Sequence, residues 1–245
     1  MPRIGHDPAH PVSNNWPHLR DELVQRVLAQ GQPVHLVGHS LGGYLSLMAA
    51  CKRPALVGSV VLIDSPVVGG WRAHSVHAMK LSGLMKRYSS GRVSQRRRWQ
   101  WPSVEAAHAH FAAKQAFARW QAEVLRDYIA AGTEADADAD PDVDPNAVPD
   151  AVPKTPGGVR LAFSREIETA IYNTLPHHLP ALLRRHPLHM PVAYLGGTRS
   201  TEGRRAGLAT TRALVHERIQ WIEGSHLFPM ERPAETAAAV LRLLG

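Results

Sequence analysis

The chain has 245 residues, 44% hydrophobic and 20% charged, with a formal net charge of +7. That is enough for one α/β domain with a sizeable core, and ordinary for a soluble globular protein. Its single cysteine, Cys51, excludes an intrachain disulfide framework and a cysteine-built metal site, and its Ala, Met and Leu neighbours give it a packing role.

The N-terminal "MPRIGHDPAHPVSNNW" has no apolar core of a signal peptide, and no apolar run approaches a membrane span, so a cytoplasmic location without a membrane partner is expected. A helical pattern, "WPHLRDELVQRVLAQG", closes at Gly31, and the strand "PVHLVG" follows at 33–38. "LGGYLSLMAACKR" reads as a small-residue helix ending before Pro54, and "VGSVVLID" (57–64) as the next strand. The rhythm then breaks. "SQRRRWQW" (94–101) is the one dense cluster among 23 Arg and 5 Lys. It reads as a solvated face with Trp99 and Trp101 packed beneath arginine stems, nucleic-acid binding being the lesser alternative. Ala-rich helical segments occupy 103–132, and the Asp-, Ala- and Pro-rich stretch 133–158 has little to bury, so a flexible loop is expected. A calcium loop started at Asp136 fails, because Pro141 stands where glycine is needed and Ala147 where glutamate is needed. The β/α alternation resumes with "MPVAYLGG" (190–197), a helix in 200–217, "RIQWIEG" (218–224) and a last helix opened by Pro233. The four strands lack strict polar alternation, the pattern of parallel strands covered on both faces, so a doubly wound, mostly parallel sheet is predicted.

Gly38-His39-Ser40-Leu41-Gly42 sits at the junction of the first strand and its helix. Glycines two residues either side of a serine permit a turn tight enough to push the hydroxyl out at the carboxyl edge of the sheet. The N–H of Leu41 then lies at the helix start, where it can donate to a developing oxyanion. With the strand before it and the small-residue helix after it, this motif resembles the nucleophile elbow of the α/β-hydrolase superfamily, in particular the serine-nucleophile branch with a cap inserted after the following strand. The resemblance implies a discontinuous core over 1–66 and 187–245 and a helical cap-like insertion over 67–186.

It also implies an order of partners: serine, acid, histidine. His226, in "WIEGSHLFPMERP" just past the last strand, resembles the family's general base. The acid departs from the usual pattern, since the loop after "MPVAYLGG" reads "TRSTEG" and contains no aspartate. Asp64, ending the strand beside the elbow strand, is the preferred acid, and Glu202 the alternative. The elbow comes at residue 40, whereas relatives usually carry four strands ahead of it, including the one whose loop gives a second oxyanion donor. The expectation is therefore a chain lacking those N-terminal strands.

The function implied is a serine hydrolase that cleaves a carboxylic ester or thioester through an acyl-enzyme, with a small-molecule acyl substrate and neither cofactor nor metal. Trp71, Trp99, Trp101, Phe111, Phe117, Trp120 and Tyr172 either line an acyl pocket or form ordinary core. The same residues would serve a C–C hydrolase, a perhydrolase or an acyltransferase, and the missing strands leave a non-catalytic remnant as a further alternative. Nothing in the sequence speaks to oligomeric state.

Overall fold

The computed structural model of the chain describes residues 3–82, 91–136 and 158–244. The first helix, α1 (Pro17–Leu28), starts with proline at its first position, where the missing N–H costs no hydrogen bond. Trp16 caps it from the left-handed region, fully buried, and its indole N–H donates to the Ile171 carbonyl at 3.2 Å and to Thr174 Oγ1 at 3.0 Å. Then come β1 (Val34–His39), α2 (Leu41–Lys52) and β2 (Val57–Ile63). After a long excursion the chain re-enters the sheet as β6 (Val192–Gly197) and β7 (Ile219–Ile222), and ends in α12 (Pro233–Leu244).

Among the described residues the main sheet has four strands, all parallel, in the order β1-β2-β6-β7. Alternation within β2 and β6 explains the layers. Val60, Leu62, Val192 and Tyr194 face the cluster that α1 and α2 complete with Leu23, Leu45 and Leu47. Val61, Ile63, Ala193 and Leu195 face the opposite cluster, closed by Phe228, Ala239 and Leu243. Both faces of these strands are dry, which is why they read as continuous apolar runs. β1 differs from the expectation. It stands at the sheet's edge with His35 and Val37 exposed, and a cavity of about 640 Å³ runs along it, walled in part by Val37, Phe163 and Ile171. Only its Leu36 side is covered.

The excursion contains α3 (Gly70–Leu81), α4 (Gly91–Arg96), β3 (Gln100–Trp101), α5 (Val104–Ala112) and α6 (Ala122–Gly132). β4 (Thr133–Ala135), β5 (Val159–Leu161), α7 (Arg165–Asn173) and α8 (Leu179–Arg185) complete it. The loop expected over 133–158 is thus corrected at its start: Thr133–Ala135 pairs antiparallel with β5, whose other edge takes β3. Residues 137–157 of that expected loop lie outside the described residues. Trp101, Phe111, Leu125, Ile129 and Val159 form a third cluster beneath this small sheet.

The single helix predicted in 200–217 is two, α9 (Glu202–Ala206) and α10 (Ala209–Val215), broken at Gly207 with φ 76°. A short α11 (Phe228–Glu231) precedes α12. No helix among the described residues is long and apolar enough to cross a membrane.

Leu47 is fully buried in the largest cluster. Leu47→Ala should lower the unfolding free energy by ~3 kcal/mol, the usual combined cost of lost burial and residual cavity, read from the shift of the urea midpoint.

Candidate active site

The residues that follow the four parallel strands meet at one edge of the sheet. Ser40 follows β1 with φ 54° and ψ −121°. A non-glycine residue there carries strain of ~1–3 kcal/mol, so its surroundings must hold it. They do so through the Ser40 N–H, which donates to the Ile63 carbonyl at 2.9 Å, and the Ser40 carbonyl, which accepts from the Gly43 N–H at 3.1 Å. A Cβ at Gly38 would lie 2.4 Å from the Gly42 backbone. At Gly42 itself a Cβ would meet nothing within 4 Å, while one at Gly43 would come within 2.4 Å of Ser65 Oγ. The need for small residues around Ser40 therefore falls on Gly38 and Gly43, and not on Gly42 as predicted: Gly42 supplies the backbone that a side chain at 38 would strike. Leu41 opens α2, so its N–H has no acceptor within the helix and sits at the positive end of the helix dipole.

Asp64 follows β2, 1% exposed, with φ 43°. Its Oδ1 accepts from the Gly197 N–H at 3.2 Å and the Tyr194 hydroxyl at 3.3 Å, and its Oδ2 from the Ser200 hydroxyl. Oδ2 also lies 2.6 Å from His226 Nδ1, and His226 Nε2 lies 3.0 Å from Ser40 Oγ. A carboxylate only accepts, so in the neutral imidazole Nδ1 carries the proton and Nε2 is left to accept from the serine hydroxyl. Burial alone would raise the Asp64 pKa. The hydrogen bonds from His226, Ser200 and Gly197 outweigh it and hold the carboxyl below its ordinary range.

The loop that carries His226 is itself anchored. Ser225 donates its hydroxyl and, at 3.2 Å, its N–H to the buried Glu231 carboxylate, and the Leu227 N–H donates to Ser225 Oγ at 3.0 Å. His39 Nε2 donates to the His226 carbonyl at 2.8 Å, with the two rings 4.7 Å apart. Burial, reinforced by the neighbouring His226, pushes the His39 pKa down.

Ser40, His226 and Asp64 are thus joined in one hydrogen-bonded series, which Glu202 does not enter. Glu202 stands in the first turn of α9 with its carboxylate 3.4 Å from Arg205. Sequence reasoning overlooked Ser200, Tyr194, His39 and Glu231. Their side chains act across 6 to 187 positions of chain, and only the Ser225–Glu231 spacing within one loop was open to a local reading.

A sequence profile described as the alpha/beta hydrolase family matches residues 2–239. The chain belongs to the alpha/beta hydrolase family. No curated protein sequence matches it. Among solved structures this hydrolase-family chain is similar in fold to E-2-(acetamidomethylene)succinate hydrolase. The two are 22% identical with a TM-score of 0.68, over 99% of this chain and 79% of that one. A thioesterase domain from the curacin biosynthetic pathway is 19% identical with a TM-score of 0.60, over 93% and 72%. The peroxisomal alpha-beta-hydrolase of Saccharomyces cerevisiae is 14% identical with a TM-score of 0.63, over 99% of this chain and 63% of the yeast one.

In this alpha/beta hydrolase a cavity of about 570 Å³ opens over Ser40 and His226, walled by Tyr44, Trp71, Met79, Tyr172 and Leu175 and edged by Arg72, Glu202 and Arg205. Of the seven aromatics singled out in the sequence, Trp71 and Tyr172 line it. Trp101, Phe111, Phe117 and Trp120 pack together under the small sheet, with Trp99 against them.

Ser200→Ala should cost ~1–3 kcal/mol of stability near neutral pH, because it removes a donor to a buried carboxylate. The folded-state pKa of Asp64 is depressed, so the benefit of ionising it is present above the unfolded-state value and lost as pH falls through the lower folded value. The gap between wild type and variant should therefore close in acid, below the ordinary Asp range, in urea unfolding repeated across pH.

Proposed function

We propose that the chain is a serine hydrolase acting on a carboxylic ester or thioester through an acyl-enzyme. The observation that carries this reading is the Ser40 hydroxyl, held in a strained turn 3.0 Å from His226 Nε2. Ser40 Oγ attacks the acyl carbon while His226 Nε2 takes its proton, and the same nitrogen then protonates the departing alcohol or thiol. Asp64 holds the Nδ1–H and stabilises the imidazolium as it forms. The Leu41 N–H donates to the oxyanion. Water, deprotonated by His226, attacks the acyl-enzyme and frees Ser40. Residues 67–186 act as a cap whose Trp71, Met79 and Tyr172 supply apolar surface to the acyl chain. The names of two structural neighbours, a thioesterase domain and a hydrolase of an acylated amine, agree with an acyl substrate.

One observation favours a second reading, an inactive member of the family. β1, which presents Ser40, lies at the edge of the described sheet with His35 and Val37 exposed. C–C hydrolase, perhydrolase and acyltransferase chemistry would employ the same three side chains; the first differs in releasing a carbon leaving group that must be protonated, the other two in using a peroxide or an acyl acceptor in place of water.

A fluorophosphonate probe should label the wild type at Ser40 and leave Ser40→Ala unlabelled, as judged by mass spectrometry of the peptide. Absence of label from the folded wild type would overturn the hydrolase reading in favour of the inactive one. On 4-nitrophenyl butyrate, Asp64→Asn should lower kcat by about 10³–10⁴-fold, because the imidazole loses the acceptor that fixes its tautomer. Glu202→Gln should cost far less, and the reverse order would transfer the acid's role to Glu202.

A further inference from the structure

Among the charged side chains that line the cavity over Ser40, one is left without a polar partner. Asp64 and His226 satisfy one another at its floor, and Glu202 stands opposite Arg205 at 3.4 Å. That leaves Arg72. It lies on the face of α3 that also turns Trp71, Ser75 and Met79 to the cavity. Among the described residues its guanidinium makes no hydrogen bond or ion pair, and it lies over the neighbouring Trp71 ring, 4.8 Å from the centroid.

The guanidinium is nevertheless held in place. A Cβ on Gly207 would come within 2.9 Å of an Arg72 terminal nitrogen, so the break between α9 and α10 leaves room against which the guanidinium rests. The start of α3 is pinned to the same segment. Gly69 abuts the Thr210 side chain, and the Val67 N–H donates to Thr211 Oγ1 at 2.8 Å. A second cation lies nearby. The Lys80 ammonium donates to Asn14 Oδ1 at 2.7 Å and Asn15 Oδ1 at 3.0 Å, and sits 3.3 Å from Nδ1 of His177, a cavity-lining residue. Its partners are thus side-chain amides and an imidazole.

A half-buried guanidinium with five donors and no acceptor, set in the wall of a reaction cavity, is a carboxylate receptor lacking its carboxylate. From this we propose that Arg72 binds a free carboxylate on the acyl part of the substrate, so that the preferred ester or thioester is a half-ester of a dicarboxylic acid. The inference rests on the hydrolase reading for its scissile bond, and on Arg72 alone for its charge. The carboxylate replaces the water that otherwise solvates the guanidinium fork. The remaining acyl carbons lie along Trp71 and Tyr172, and a cavity of about 570 Å³ is of the size that encloses a small ligand.

The experiment compares mono-4-nitrophenyl glutarate with 4-nitrophenyl butyrate, two esters of similar length that differ by one carboxylate. In Arg72→Gln the ratio of kcat/KM for the charged ester over the neutral one should fall at least tenfold from its wild-type value, mainly through KM of the charged ester. Arg72→Lys should recover part of it. A ratio within twofold of wild type in Arg72→Gln would overturn the proposal while leaving the hydrolase reading intact. Should the wild type cleave neither ester, the hydrolase reading fails first, and calorimetric titration of free glutarate still decides the matter for Arg72. At least tenfold weaker binding in Arg72→Gln than in wild type upholds the carboxylate site, and equal affinities, or no binding to the wild type, remove it.

Discussion

Parallel pairing of β1, β2, β6 and β7 is the constraint on which everything else in this chain depends. It brings four carboxyl ends to one edge, so that Ser40, Asp64, Ser200 and His226, up to 186 positions apart, emerge within hydrogen-bond reach of one another. The ladder continues one residue past β1, β2 and β6: the Ser40 N–H bonds to Ile63, the Asp64 N–H to Leu195 and the Thr198 N–H to Ile222. These contacts fix where each connecting loop begins. These side chains thereby inherit the stiffness of the dry sheet beneath them, whose central strands are buried on both faces. That support also keeps Ser40 and Asp64 at positive φ, a conformation that neither residue adopts readily by itself.

Much of this could be read from the chain. The apolar runs at 33–38, 57–64, 190–197 and 218–224 correspond to the four strands within two residues at each end, because β2 and β6 alternate between two buried faces and so show no polar positions. The Gly38–Ser40 junction was legible because a collision between backbone segments is a local matter. The role of Gly42 was misjudged for a related reason: the pattern of small residues does not reveal which partner in a close approach would carry the offending atom. The break at Gly207 was hidden inside a sequence with continuous helical periodicity. The strand at Thr133–Ala135 was hidden by its polar composition, and it exists because β5, returning from a distant part of the chain, supplies the hydrogen bonds.

The choice between Asp64 and Glu202 shows where sequence runs out. Both stand just past a parallel strand, and both have innocent explanations, a strand-ending turn for one and a helix first turn for the other. What separates them is surroundings. Asp64 is enclosed and receives donors from Gly197, Tyr194, Ser200 and His226, whereas Glu202 faces the cavity beside Arg205. Those donors come from three different segments. The convergence that depresses the Asp64 pKa has no trace in the residues on either side of it.

The position of Asp64, just past β2, has a consequence for how the molecule can diversify on the proposed reading. Beyond Ser200, whose Oγ accepts from the Glu202 N–H at 3.2 Å, no side chain between 201 and 207 joins the hydrogen-bonded series, yet Glu202, Arg205 and Ala206 border the cavity and Gly207 abuts Arg72. If Ser40, His226 and Asp64 act as proposed, bond-breaking and selection fall to separate stretches of chain. Drift between 201 and 207 can change which molecules are admitted while Ser40, His226 and Asp64 keep their mutual geometry, an arrangement under which new specificities can arise without rebuilding the chemistry.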